Sequence, residues 1–323
     1  MAHSNTILCQ IVSLFPRHEF EVLAKMYHVG QKFRSFNRWS QFLAMAIAQI
    51  SSRKSLRDVV SNIDAQRQRI YHLGMRSTKR TTLARVNEQQ PYQLYRDMFY
   101  KLLNRYRRHS PGHKFKFKGK VYLLDITTID LCLSVFLWAT FRKAKGAIKL
   151  HFGIDADGYL PVFMNMTNGK KHESDWAKAL TLHPGACVVF DRGFTDYSWY
   201  QKLTDRNITF VTRLKRNASY FRIGNRRRTD SDTIKSDQKV KLKGFTADYR
   251  LVEFQDPETG KMYQFLTNSM SLKATEVAAL YKERWQIELF FKWIKQNLKV
   301  KSFLGTSSNA VLTQLWIALC EVF

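Results

Sequence analysis

In the run Tyr281-Lys-Glu-Arg-Trp-Gln-Ile-Glu-Leu-Phe-Phe-Lys-Trp-Ile-Lys295, the residues Tyr281, Arg284, Glu288 and Lys295 fall at offsets 0, 3, 7 and 14. At about 100° per helical residue these four share an arc of roughly 60°. One carboxylate, two cations and a phenol therefore lie on one narrow face of a predicted helix. The other arcs carry Trp285, Ile287, Leu289, Phe290, Phe291, Trp293 and Ile294, which are expected to pack the helix into a core. An ordinary amphipathic helix with an i,i+4 pair between Arg284 and Glu288 has the same pattern. Two aspartates upstream point beyond that reading.

The first lies in Val121-Tyr-Leu-Leu-Asp-Ile-Thr-Thr-Ile-Asp130, where a short apolar run reaches Asp125 and suits a buried strand. Asp130, five residues on, is the alternative to Asp125. The second lies in Val188-Val-Phe-Asp-Arg-Gly-Phe-Thr-Asp196, another apolar strand ending in an acid. Arg192 and Gly193 then turn the chain toward a predicted helix from Tyr197 to Leu203. Asp191 thus sits at the carboxyl end of a strand, where open α/β sheets place their ligands. A strand-end Asp is ordinarily a helix cap. Two of them with a Glu on a later helix form a candidate metal site of Asp125, Asp191 and Glu288.

Such a gathering has a chemical purpose. Mg²⁺ and Mn²⁺ are hard ions that take oxygen ligands, a few carboxylates completed by substrate phosphate oxygens. Two such ions about 4 Å apart stabilise the attacking and leaving oxygens of a phosphoryl displacement. Arg284 and Lys295 are expected to hold phosphate oxygens without competing for the metal. His151 and His172 lie near the acidic segments, and a lone histidine more often packs than ligates.

The charge of the chain names the same substrate. Formal net charge is +27 with a pI near 10.0. Residues 1–118 alone hold 22 Lys and Arg against 6 Asp and Glu. Dense stretches include Arg105-Tyr-Arg-Arg-His109, Lys114-Phe-Lys-Phe-Lys118 and Arg226-Arg-Arg228. A polyanionic partner follows from counterion release and steering, double-stranded DNA being one such polyanion and an anionic membrane the weaker alternative. No apolar span of about 18 residues marks a membrane helix, and His3, Asn5 and Gln10 interrupt any signal-peptide core. Cys9, Cys132, Cys187 and Cys320 are scattered without a CxxC, which argues against structural zinc and for reduced thiols.

The periodicity divides the chain in two. Residues 1–110 read as short helices: Arg38 to Ile50, a helix after Ser55, one from Asp64 to Leu73 stopped by Gly74, one over Thr81–Gln89 and one from Pro91 to Tyr106. This suits an all-α DNA-binding domain of helix-turn-helix kind. Arg85 and Asn87 are its candidate base readers, since Arg commonly pairs with guanine and Asn with adenine; Arg67 and Arg69 are candidates for phosphate. Residues 111–120 form a boundary, and residues 118–323 alternate strands with helices. That order suits an α/β RNase H-like catalytic core: a strand meander bearing one Asp, a later strand bearing the second, and a helix bearing an acid. Residues 215–270 are basic, hydroxyl-rich and strand-like.

On these residues the chain resembles the insertion-sequence-four type of DDE transposases. Tyr281, Arg284, Glu288 and Lys295 match the Y-(2)-R-(3)-E-(6)-K signature of that family. Asp125 in Asp-Ile-Thr-Thr resembles its first catalytic Asp, Asp191 in Asp-Arg-Gly-Phe its second, and the separation of Asp191 from Glu288 resembles its β-rich insertion, which is then expected at about 210–270. The resemblance implies DNA cleavage and strand transfer with Mg²⁺ or Mn²⁺ in a two-metal site, catalysed by Asp125, Asp191 and Glu288. Tyr281, Arg284 and Lys295 are then DNA-binding residues. It further implies terminal inverted repeats and target DNA as partners, a homodimer on that DNA, and a bacterial cytoplasmic setting at the nucleoid. An RNase H-like DNA nuclease shares the acids without needing the Tyr, Arg and Lys spacing; an inactive DNA-binding transposase remnant explains the charge alone. The chain stops in the apolar run Trp316–Phe323, whereas members of the family usually continue, which implies a truncated C-terminal end.

Overall fold

The computed structural model describes the chain apart from residues 1–6, 31–32, 34–35, 76–77, 108–111, 116, 132–135, 137, 143–144, 169–172, 227–230, 298–302 and 322–323. The side chains of some helix and strand residues, Arg69 and Lys295 among them, also lie outside the description. In chain order the elements begin with α1 (Ile7–Leu14), α2 (Arg17–Met26), α3 (Arg38–Ile50), α4 (Leu56–Ala65), α5 (Arg67–Ile70), α6 (Arg80–Gln89) and α7 (Gln93–Arg107). Strands β1 (Val121–Leu131), β2 (Thr140–Arg142), β3 (Lys145–Asp155) and β4 (Leu160–Asn168) follow. Then come α8 (Glu173–Lys178), β5 (Cys187–Phe190), α9 (Tyr197–Asp205) and β6 (Thr209–Arg213). The chain continues through β7 (Tyr220–Asn225), β8 (Ile234–Leu242), β9 (Asp248–Gln255), β10 (Met262–Thr267), α10 (Ala274–Glu283), α11 (Trp285–Asn297) and α12 (Ser308–Cys320).

Two compact units emerge. One is helical and joins Met1–His109, Ile129–Gly146 and Lys292–Phe323; the other joins Ser110–Thr128 and Ala147–Phe291. In the helical unit α3 is central, every residue from Arg38 to Ala48 being buried. A helix apolar on nearly every side has to be enclosed by others. Asn37 caps it by accepting the Ser40 N–H at 2.8 Å. Around it Phe15, Phe20, Trp39, Phe42 and Tyr95 form an aromatic cluster with ring centroids 4.5 to 6.5 Å apart. The helix expected after Asp64 begins instead at Arg67, because Asp64 is taken up in the last turn of α4. Gly74 ends the following 3₁₀ turn at φ +74°, a conformation a side chain disfavours. Helix α12 packs with α7, Phe99 meeting Trp316 at 5.3 Å. Asn309 Nδ2 donates to the carbonyls of Asn87 and Gln90 at the end of α6, at 2.8 and 2.7 Å.

The second unit is built on a sheet whose neighbours run β4-β3-β1-β5-β6-β10-β9-β8-β7. β1, β5 and β6 are parallel. β5 is short and wholly buried, as Cys-Val-Val-Phe requires of a strand covered on both faces. Helix α9 makes the crossover from β5 to β6, laying Trp199 and Tyr200 on Phe190 at 4.7 and 5.6 Å. The order β4-β3-β1-β5-β6 is that of the expected RNase H-like core, so the fold class is α/β with a helical N-terminal region. The β-rich segment differs in detail. Because β6 is the parallel partner of β5, it belongs to the core, and the antiparallel strands β7 to β10 extend the same sheet. Among the described residues no helix is long and apolar enough to cross a membrane.

Candidate active site

The parallel register pairs Leu124 of β1 with Phe190 of β5. Asp191 follows the end of β5, whereas Asp125 is not the expected strand end: β1 continues to Leu131, and Asp125 lies within it where the pairing with β5 stops, the two strands being about 4.8 Å apart. Asp125 Oδ1 accepts the N–H of Ile126 at 2.8 Å. Asp191 Oδ1 accepts the Gly193 N–H at 2.7 Å and so caps the 3₁₀ turn Arg192–Phe194. That cap is the ordinary role of a strand-end Asp, and it occupies only one of the two carboxylate oxygens.

Glu288 comes from the first turn of α11. The run from Tyr281 is not one continuous helix. Arg284 stands between α10 and α11, with N–H bonds from Arg284 to Tyr281 and from Ile287 to Arg284. These three-residue bonds tighten the backbone at that joint. The tightening aims Arg284 at the acids: Nη1 donates to Asp125 Oδ2 at 2.9 Å and Nη2 donates to Glu288 Oε1. Arg284 is 12% exposed in its side chain, Asp125 16% and Glu288 36%. Tyr281, half-buried at the end of α10, packs its ring at a tilt against Phe265 at 4.7 Å and lies beneath the Arg284 guanidinium at 5.6 Å.

The electrostatics follow from this crowding. Burial pushes the Asp125 carboxyl up to about 6, against Arg284 and the Ile126 N–H, and the nearby charges of Asp191 and Glu288 add to the rise. Burial also raises Tyr281, opposed by Arg284 and Arg213 and reinforced by Asp191. These couplings bring Asp125, Asp191, Glu288, Tyr281, Arg284 and Arg213 into one field. Their donors are hard oxygens, the kind Mg²⁺ and Mn²⁺ take. As the side chains stand, the guanidinium holds Asp125 and Glu288, and among the described residues no three acids, histidines or cysteines are gathered at metal-ligand spacing. The donor set fits the ions in kind, with an excess of negative charge that one arginine only partly offsets.

Arg213 is a site neighbour that no motif in the sequence marks. It ends β6 one residue beyond the pair Phe190 and Thr212, which makes it the strand-end neighbour of Asp191, and its guanidinium lies over the Tyr263 ring at 4.9 Å. The sequence carries a signal for it, since Thr209-Phe-Val-Thr-Arg213 is a β-prone run that closes on a charged residue, as the run into Asp191 does. Asp130 lies farther along β1 with its side chain exposed. His151 is buried, its Nε2 2.7 Å from Thr167 Oγ1 and its ring against Trp176, a packing role. The positions His172, Arg227 and Arg228 and the side chains of Lys295 and Arg69 lie outside the described residues.

Of the candidate base readers, Arg85 is exposed on α6. Asn87 has to be corrected. It is 2% exposed, its Oδ1 accepts from Gln41 Nε2 at 2.8 Å and its Nδ2 meets Met45 Sδ at 3.2 Å, so it is a buried polar residue of the helical core.

Residues 3–76 match a domain of unknown function, DUF4372. A putative transposase, y4zB, of Sinorhizobium fredii (strain NBRC 101917 / NGR234) is 31% identical over 249 residues, 73% of this chain and 68% of that protein. A probable transposase for insertion sequence element IS5377 of Geobacillus stearothermophilus is 25% identical over 244 residues, 74% of this chain and 64% of that protein. Among solved structures, the cryo-EM structure of a piggyBac transposase synaptic complex with hairpin DNA aligns with 97% of this chain and 71% of its own, at 12% identity and a TM-score of 0.47. Residues 116–321 match the Transposase DDE domain, and the chain belongs to that family of transposases.

Proposed function

We propose that this DNA transposase binds the terminal inverted repeats of an insertion sequence and cuts and joins DNA with Asp125, Asp191 and Glu288. The three carboxylates would hold two Mg²⁺ or Mn²⁺ ions. When bound, such ions supply Lewis acidity to a phosphodiester and lower the pKa of an attacking hydroxyl. Asp191 is held in place for this by its bond from Gly193 N–H, and Asp125 by the Ile126 N–H. Tyr281, Arg284 and Lys295 bind phosphates of the cleaved end; water attacks the phosphorus in line and the P–O3′ bond breaks, and the freed 3′-hydroxyl then attacks a target phosphodiester in line, displacing the target's own 3′-oxygen. Arg85 and the basic face of the helical region, residues 1–110, engage the terminal repeats, while residues 118–323 carry the chemistry. The enzyme acts as a homodimer on paired ends, in the bacterial cytoplasm at the nucleoid.

The observation that carries this reading is the register of β1 on β5, which sets Asp125 beside Asp191 within the field of Glu288. Glu288→Gln is expected to abolish cleavage of terminal-repeat DNA while leaving binding of the same DNA, measured without divalent metal, largely intact. Retained cleavage in that variant overturns the assignment. In the wild type the same assay is expected to yield joined products as well as cuts, which a nuclease does not make.

A further inference from the structure

The acids of the site are already spoken for. Arg284 spends one Nη on Asp125 and the other on Glu288, so a single planar fork ties the sheet to the start of α11. Its side chain is 12% exposed, and Nε is buried with no partner among the described residues. A guanidinium left with one orphaned N–H is not in its best environment, because an unsatisfied buried donor carries a cost. Nor does the joint that presents it follow regular helix geometry, since the bonds around Arg284 are of the tighter three-residue kind. The same guanidinium is the group best shaped to grip two phosphate oxygens.

We infer that Arg284 is a gate on the metal site: it holds Asp125 and Glu288 until a DNA phosphate draws it away and frees both carboxylates for divalent metal. Metal and Arg284 compete for the same oxygens, and metal and DNA therefore assist each other. By linkage, DNA tightens metal binding by the factor by which metal tightens DNA binding. An enzyme with this wiring holds metal weakly when no DNA is seated, which protects unrelated phosphodiesters from a loaded site. Two contacts keep the joint in register for the exchange. Tyr159 Oη donates to Glu283, next to Arg284, and the Tyr281 ring lies under the guanidinium. The inference rests on the reading of Asp125, Asp191 and Glu288 as the metal ligands.

The test is a Mn²⁺ titration of the full-length chain, free ion followed by electron paramagnetic resonance. It is run with and without a duplex taken from the flank of the open reading frame, the Mn²⁺ held by duplex alone being subtracted. Wild-type protein is expected to bind Mn²⁺ about tenfold more tightly with duplex than without, a factor typical of coupled sites. Arg284→Gln is expected to bind Mn²⁺ as tightly without DNA as wild type does with it, so the coupling disappears. Arg284→Lys keeps the charge but cannot span both acids, and is expected to fall between the two; it also serves if the Gln variant does not fold. If both Arg284 variants bind Mn²⁺ no more tightly than wild type while Asp125→Asn loses it, the gate is overturned and the metal site stands. If Asp125→Asn binds Mn²⁺ as wild type does, the site reading itself fails.

Discussion

Arg85 and Asn87 stand two positions apart on one helix, and one faces solvent while the other is sealed in the core. The difference was legible. Leu83, Val86, Asn87 and Gln90 fall at i, i+3, i+4 and i+7, so Asn87 occupies the buried stripe despite its polarity. Residue type suggested a base reader, but position decides burial. Its amide is satisfied there by Gln41 and Met45, a pattern that only the packing of α3 against α6 reveals. Asn87→Ala is therefore expected to lower stability by about 1–3 kcal/mol, since it strips the partner from a buried Gln41 amide. Thermal melting measures that loss, and binding of DNA below the melting range should be unchanged. A variant that melts like the wild type but no longer binds DNA would restore Asn87 to the interface. The two aspartates were the easier case, although β1 runs on past Asp125 to Leu131. An apolar run that stops on a charge is visible in one dimension for Asp125 and Asp191, and equally for Arg213, which lacked only a motif to draw notice.

At the scale of elements, the strands and helices were legible where a period and a cap coincide. α3 begins after Asn37 and α4 after Ser55, and both caps accept the expected N–H. The break at Arg284 was not legible, because its φ of −54° and ψ of −24° stay helical and no Gly or Pro marks it. α9 offers the clearest element-level prediction. Asp196 caps it, accepting from the Trp199 N–H at 3.1 Å and the Ser198 hydroxyl at 2.6 Å, and pairs with Lys178 of α8. Burial alone raises its pKa, but Lys178, Ser198 and the Trp199 N–H outweigh burial and bring the carboxyl down to about 2. A depressed carboxyl stabilises the fold in its charged form. Its contribution is complete above the ordinary Asp value of about 4 and is lost as pH falls toward 2. Asp196→Ala is expected to cost about 1 kcal/mol at neutral pH, and the gap to wild type should close between pH 4 and pH 2. Melting both proteins across that range checks it; a gap independent of pH would assign the loss to packing instead.

For the whole molecule, composition made the partner plain while leaving long-range packing unread. The placement of α12 among α3, α6 and α7 joins residues more than two hundred positions apart, and no periodic signal records such a pairing. It has a practical consequence: residues 1–110 alone lack the helix that covers Phe99 and holds the end of α6. DNA recognition is therefore best tested in the full chain. A charge of +27 predicts a steep fall of affinity with salt, each neutralised phosphate adding nearly one unit to the slope on logarithmic axes. Against that background a base contact and a phosphate contact leave different marks. Arg85 is exposed, on a helix whose opposite face is buried, so it is free to enter a groove. Arg85→Ala is expected to weaken binding of terminal-repeat duplex by about 1–3 kcal/mol and that of a scrambled duplex by much less, with little change in salt slope. Fluorescence anisotropy with both duplexes at several salt concentrations gives all of these quantities. Equal losses on the two duplexes, with the slope reduced by about one, would make Arg85 a phosphate contact and move sequence reading to another part of the helical region.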